Sequence, residues 1–132
     1  MNTDPRPARI YEKLLRVAPE LKRTREYAKS RVSGFMDLNL DVLERRLDYQ
    51  RIALSHYWQH PSGDMIAAPD MEIAVHHDRH IAEALTFQDA FAYVAVSPDV
   101  DGDAKARGPL DEFLLQWLDN LIEQGHLLPR GR

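Results

Sequence analysis

Apolar residues recur along this chain with two different periods. Ile10, Tyr11, Leu14, Leu15 and Ala18 fall every three to four positions, which predicts a helix. Asp4 before Pro5 supplies a start signal, and Pro19 a stop. Residues 20–31 predict a second, short helix broken by Ser33-Gly34. From Met36 the period falls to two. Met36, Leu38, Leu40 and Val42 alternate with Asp37, Asn39 and Asp41, the pattern of a half-buried strand. After a turn over 45–50, Ile52, Leu54, His56 and Trp58 alternate again, and a loop runs from His60 to Pro69. Met71, Ile73 and Val75 predict a third strand, Ile81, Leu85 and Phe87 a fourth, and residues 91–96 a fifth. Residues 97–109 form a polar loop. Pro109 then opens a helix with Asp111 and Glu112 in its first turn, where carboxylates complement the helix dipole. Leu110, Phe113, Leu114, Trp117, Leu118, Leu121 and Ile122 make its apolar stripe, and Gly125 stops it.

Strands in series with short links pair antiparallel, and a helix with one apolar stripe must cover a sheet face. The expected fold is therefore α+β: a four- to five-stranded antiparallel meander sheet with the N-terminal and C-terminal helices packed on one face. Residues 1–132 are read as a single globular domain, with 1–9 and 127–132 as loose termini. A chain of 132 residues can bury about two-thirds of its unfolded surface, enough for a core without staples.

Composition narrows the chemistry. The chain has no cysteine, which removes disulfides, thiolate metal sites and cysteine nucleophiles and fits a reducing cytoplasm. No apolar run approaches the roughly 18 residues of a membrane span. MNTDPRPAR lacks the apolar core of a secretion signal. A cytoplasmic location away from membranes is expected. The net charge of −4 is unevenly spread: residues 1–51 hold 12 Lys/Arg against 8 Asp/Glu, and residues 52–132 hold 5 against 13. The basic cluster Lys22, Arg23, Arg25, Lys29 and Arg31 can attract polyanions, yet it reads first as a solvated connector. Nothing else favours nucleic acid as a partner.

The candidate chemistry lies in MEIAVHHDRHIAEALTF, residues 71–87. A two-residue turn at Asp78-Arg79 would pair Val75 with Ala82 and Ile73 with Ala84, and would put Ile81, Leu85 and Phe87 opposite the face of Met71, Ile73 and Val75. A three-residue turn, Asp78-Arg79-His80, pairs Val75 with Glu83, Ile73 with Leu85 and Met71 with Phe87, so the large apolar groups share a face. Burial favours the second register. It also brings His77 and Glu83 together as diagonal neighbours on the apolar face. Glu44 extends the 36-38-40-42 series onto the same face. Glu44, His77 and Glu83 are thus expected to gather at one sheet edge, where buried carboxylates must pair or shift their pKa. A satisfied polar pair, a small-ligand site and an acid–base site all fit that arrangement.

Other motifs fail on inspection. His76 and His77 point to opposite faces of a strand, and His56 and His60 stand about 13 Å apart if extended, so no metal site is expected. The run Asp99, Asp101, Asp103 resembles a calcium loop, but the sixth position is Ala104 and the twelfth Leu110. The glycines form no phosphate loop and no serine sits in a nucleophile elbow. No cofactor is expected.

The succession "LDVLE", "DYQRIALSHYWQ", "MEIAVHHDRHIAEALTFQ" and "FLLQWLDNLIEQG" resembles the YqiB-like family of small uncharacterised bacterial proteins, over about residues 10–126. The matching positions are Met71, His77-Asp78, Ala82-Glu83, and Phe113-Leu114 with Trp117-Leu118, with Glu44 at the end of the first strand. The 97–109 loop departs from that family, which is more basic and aromatic there. The resemblance implies no activity. It adds Asp78 to Glu44, His77 and Glu83 as candidate ligand-binding residues. The reading is a non-catalytic binding or interaction module for a protein partner or small ligand. The alternative is a small hydrolase or isomerase using His77 and Glu83 as acid and base.

Overall fold

The computed structural model describes residues 4–59, 61–63, 65–90, 92–95 and 104–132. The fold is α+β with an antiparallel sheet. Helix α1 (Arg6–Val17) opens the chain, followed by a short 3-10 turn (Leu21–Arg23). The strands are β1 (Tyr27–Ser30), β2 (Leu38–Arg46), β3 (Tyr49–Gln59), β4 (Met65–His76), β5 (Ile81–Ala84), β6 (Thr86–Gln88) and β7 (Tyr93–Ala95). Helix α2 (Ala104–Gln124) follows. The sheet runs β1-β2-β3-β4-β6-β7, with β5 also on β4.

Among the described residues seven strands stand where four to five were expected, for two reasons, and a third difference is one of length. The region read as a second helix is only a three-residue 3-10 turn, after which β1 adds to the edge of β2, Ala28 opposite Leu40. The fourth strand is broken in two at Leu85. The third begins at Met65, inside the expected loop, and runs twelve residues. Residues 97–103, including the calcium-like run, and His60 lie outside the described residues.

One core joins the helical stripes to alternate strand positions. Ile10, Leu14 and Val17 of α1 and Leu114, Trp117, Leu118 and Leu121 of α2 cluster with Leu38, Leu40, Ile52, Leu54, Met71, Ile73, Val75, Ala82 and Ala84. Most are fully buried, and a buried Leu or Ile is worth roughly 1.5–3 kcal/mol. The helices run parallel: Arg6 reaches Gly108 O (3.2 Å) and Glu112 (3.6 Å), and seven residues further along each helix Lys13 pairs with Asp119.

Three termini differ from expectation, the first because α1 begins at Arg6, inside the stretch 1–9 read as loose. Asp4 does meet the start of α1, accepting the Arg6 N–H at 2.9 Å. Helix α2 starts at Ala104, so Pro109 sits inside it, and Asp111 lies in the second turn. Asp111 is fully buried and its Oδ1 accepts the Ala84 N–H at 2.9 Å, a donor that the β4 ladder leaves free. Residues 127–132 are not loose. Leu128 is buried and its N–H reaches Val17 O (2.7 Å). The Arg132 carbonyl accepts the N–H groups of Arg25, Glu26 and Tyr27, and Gly131 (φ 65°) packs so closely that a Cβ there would stand 2.1 Å from Tyr27 O.

Burial raises the Asp111 pKa to about 6 from 3.8, against the opposing bond from Ala84 and the charge of Arg107. A folded-state pKa above the unfolded value means that the stabilisation is complete below 3.8 and is lost as pH rises through 6. Asp111→Asn keeps the acceptor and removes the charge. It should therefore unfold up to about 3 kcal/mol less readily than the native chain near neutral pH. The difference should narrow as pH falls below about 6 and vanish below 3.8, as urea denaturation across pH will show.

Candidate functional site

Two single-residue irregularities decide where the candidate side chains go. Near its turn the β4–β5 pair adopts the two-residue register: Val75 faces Ala82, Ile73 faces Ala84, and Ala74 faces Glu83. Beyond Leu85, Asp70 pairs with Gln88, which is the three-residue register. Both alignments therefore occur, joined at Leu85, whose N–H still reaches Glu72 O (2.8 Å). The small Ala82 and Ala84 take the buried positions, because α1 packs over this strand and larger residues have no room. Phe87 returns to the core after the shift and meets Phe113 edge-on at 5.0 Å. The second irregularity is a bulge at Leu43. Val42 still faces Ile52, but Glu44 faces Arg51.

Each irregularity moves a carboxylate to the other side of the sheet. Glu83 lies 3.5 Å from His76 Nε2 and 3.2 Å from Arg107. Glu44 pairs with Arg46 (2.9 Å) and Arg51 (3.6 Å), and Arg51 bridges onward to Glu72 at 2.7 Å. His77 stays with the core positions, so it does not meet Glu44 or Glu83. The structure instead brings the two glutamates toward Tyr49 and His76. Burial raises the Tyr49 pKa, Glu44 adds to the rise, Arg51 and Arg46 oppose it, and Glu83 adds again. Tyr49 holds the His76 ring at 5.2 Å on one side and lies under the Arg46 guanidinium at 4.8 Å. Asp78 lines an open depression of about 530 Å³ with Arg46, Leu47, Asp48, Tyr49 and His76. Among the described residues no group of three or more His, Asp or Glu is placed to hold a metal ion.

His77 has other partners. Gln50 Nε2 donates to Leu21 O and Thr24 O, both at 3.0 Å, so its Oε1 faces His77 as an acceptor. His77 Nε2 must then carry the proton and donates to that oxygen at 2.7 Å. Its Nδ1 is left to accept from the Tyr11 hydroxyl at 2.9 Å. The chain Tyr11–His77–Gln50 ties α1, the 77–80 turn and the 3-10 segment to the sheet with every ring nitrogen paired. His80, with φ 54°, stacks on Tyr11 at 5.3 Å. This is a neutral, buried histidine in a structural network. Burial lowers its pKa from 6.5, and Lys22 acts in the same direction.

Sequence reasoning passed over Tyr49, His76, Arg46, Arg51 and Arg107. The discarded two-residue register carried the signal for His76: it pairs His76 with Ile81 and sets Glu83 one step away on the same face. Arg107 was hidden because α2 begins before Pro109.

Comparison with known proteins adds a family. The profile of one family covers residues 9–127, nearly the whole fold just described. The chain belongs to DUF6908, a domain of unknown function. The DUF6908 match takes in Glu44, Tyr49, His76, Glu83, Arg107 and both helices apart from the first residues of α1. It does not confirm the YqiB-like resemblance, and it agrees that the domain is uncharacterised. No curated protein and no solved structure matches the chain.

The His77 network makes a checkable statement. His77→Ala leaves Gln50 Oε1 without a donor and should lower the unfolding free energy by about 1–3 kcal/mol, read by urea denaturation at about pH 8. A pKa held below 6.5 in the fold gives a contribution that is whole above 6.5 and lost as pH falls through the folded value. The gap between native chain and variant should therefore narrow on acidification.

Proposed function

We propose that this DUF6908 chain is a single-domain, non-catalytic interaction module, and that its recognition surface is the end of the sheet around the 47–48 turn. One observation carries the reading: Leu47 is 91% exposed at the tip of that turn. It stands beside the depression lined by Arg46, Tyr49 and His76. A leucine there contributes nothing to the core, and Tyr and Arg beside an apolar group are the residue types that dominate binding energy at protein interfaces. With both helices taken to cover the face of Ile52 and Ile73, the opposite face is left to contact a partner. There the charges are already paired, Glu44 with Arg46 and Arg51, and Glu83 with Arg107, while His76 lies 3.5 Å from Glu83. Such pairing favours positioning over proton transfer. The cysteine-free composition supports a reducing compartment, the cytoplasm.

A second reading has its own observation. His76 Nε2 and Glu83 Oε1 lie 3.5 Å apart beside the same depression. This His/Glu pair fits the hydrolase or isomerase alternative better than His77 does.

The test is a partner captured by the full chain, purified and titrated against variants. Leu47→Glu should weaken it by more than about tenfold, or roughly 1.4 kcal/mol, while Leu127→Glu, on a distant exposed leucine, binds as the native chain does. Equal binding to all three chains overturns the module reading. A substrate turned over by the native chain and untouched by His76→Ala establishes the enzyme instead.

A further inference from the structure

The outer surface of the two helices carries a second, independent feature. A cleft of about 600 Å³ runs between α1 and α2. Arg9, Lys13 and Arg16 stand along its α1 wall at spacings of four and three, one face of a helix, with Glu12 beside them, so cations outnumber anions on that wall. Glu112 and Asp119 stand along the α2 wall, seven residues apart, with Gln116 between them. Phe113, 38% exposed, and the half-buried Leu115 lie between the walls. Lys13 with Asp119 and Arg6 with Glu112 already bridge the two helices, but the side chains of Arg9 and Arg16 hold no ion pair among the described residues.

We propose that this cleft is the interface of a homodimer, and that its occupant is the same cleft of a second copy. The charge pattern selects both the partner and the symmetry. The helices run parallel, so a two-fold axis along them sets each α1 against the partner's α2 at matching heights. Arg9 and Arg16 then stand three residues, about one turn, beyond the levels of the partner's Glu112 and Asp119, within reach of a long arginine side chain. An axis across the helices would set α1 against α1 and oppose one predominantly basic wall to another. Like-charge juxtaposition excludes that arrangement. Along the allowed axis the two Phe113 rings lie near the centre with the charged walls outside them, an apolar middle with a polar rim. The four helices form one parallel layer between two outward-facing sheets, which leaves the Leu47 end of each sheet free.

Sedimentation equilibrium of the full chain decides the matter. The native protein should show twice the 15.2 kDa chain mass, weakening as salt rises. Arg9→Glu with Arg16→Glu makes both walls acidic. Glu112→Lys with Asp119→Lys makes both basic. Each double variant should fold, by circular dichroism and melting temperature, and should lose more than about tenfold in dimer affinity. Mixed one to one, the two variants restore opposite charges at both contacts and should form a heterodimer. A native chain that is monomeric up to about 100 micromolar, roughly the range of weak complexes, overturns the proposal. So does a native dimer that survives in either variant, or two monomeric variants that fail to combine. None of these outcomes bears on the Leu47 surface.

Discussion

Side chains of a strand alternate between its two faces, so one inserted residue is enough to exchange inside for outside. In this protein two such insertions, Leu43 and Leu85, govern everything around the candidate site. They carry Glu44 and Glu83 away from the core and set them around Tyr49 and His76. Without them both carboxylates would lie on the core face of the sheet, where ionised groups are costly unless paired. The bulges also let Ala82 and Ala84 sit under the helix while Phe87, three residues on, still reaches the core. Close helix approach and a large aromatic anchor therefore follow one another within seven residues, on β5 and β6.

Several of the buried polar groups serve as joints between elements. Gln50 and His77 join the sheet to the 3-10 turn and to Tyr11. Asp111 joins α2 to an N–H that the β-ladder leaves unsatisfied. Ser30 accepts the Leu127 N–H and meets His126, anchoring the chain after α2 to the first strand. Such groups specify position more than they add stability, because their desolvation offsets most of what the bonds contribute.

Much of this was legible in the sequence. The 3.6-residue stripe from Leu110 to Ile122 marked α2, and the alternations at 38–42, 52–56 and 71–75 marked the central strands, because each follows from burial on one side. The same logic misplaced the site. It assumed that Ile81 and Leu85 must be buried because they are large, whereas the space under α1 admits only Ala82 and Ala84. Pattern along a strand cannot reveal how near the covering helix comes. Nor could it reveal β1, whose residues Tyr27–Ser30 lie in a basic stretch with little alternation and are held largely by β2 and by the docked residues 127–132.

That docking has a further effect. The outer rim of a β-sheet is a row of open donors and acceptors, ready to template another chain. Along residues 25–27 the rim of β1 is occupied by Arg132, which takes three N–H groups and returns its own to Tyr27 O. The protein thus supplies its own stopper at that side, and runaway sheet growth from one molecule to the next has no foothold there.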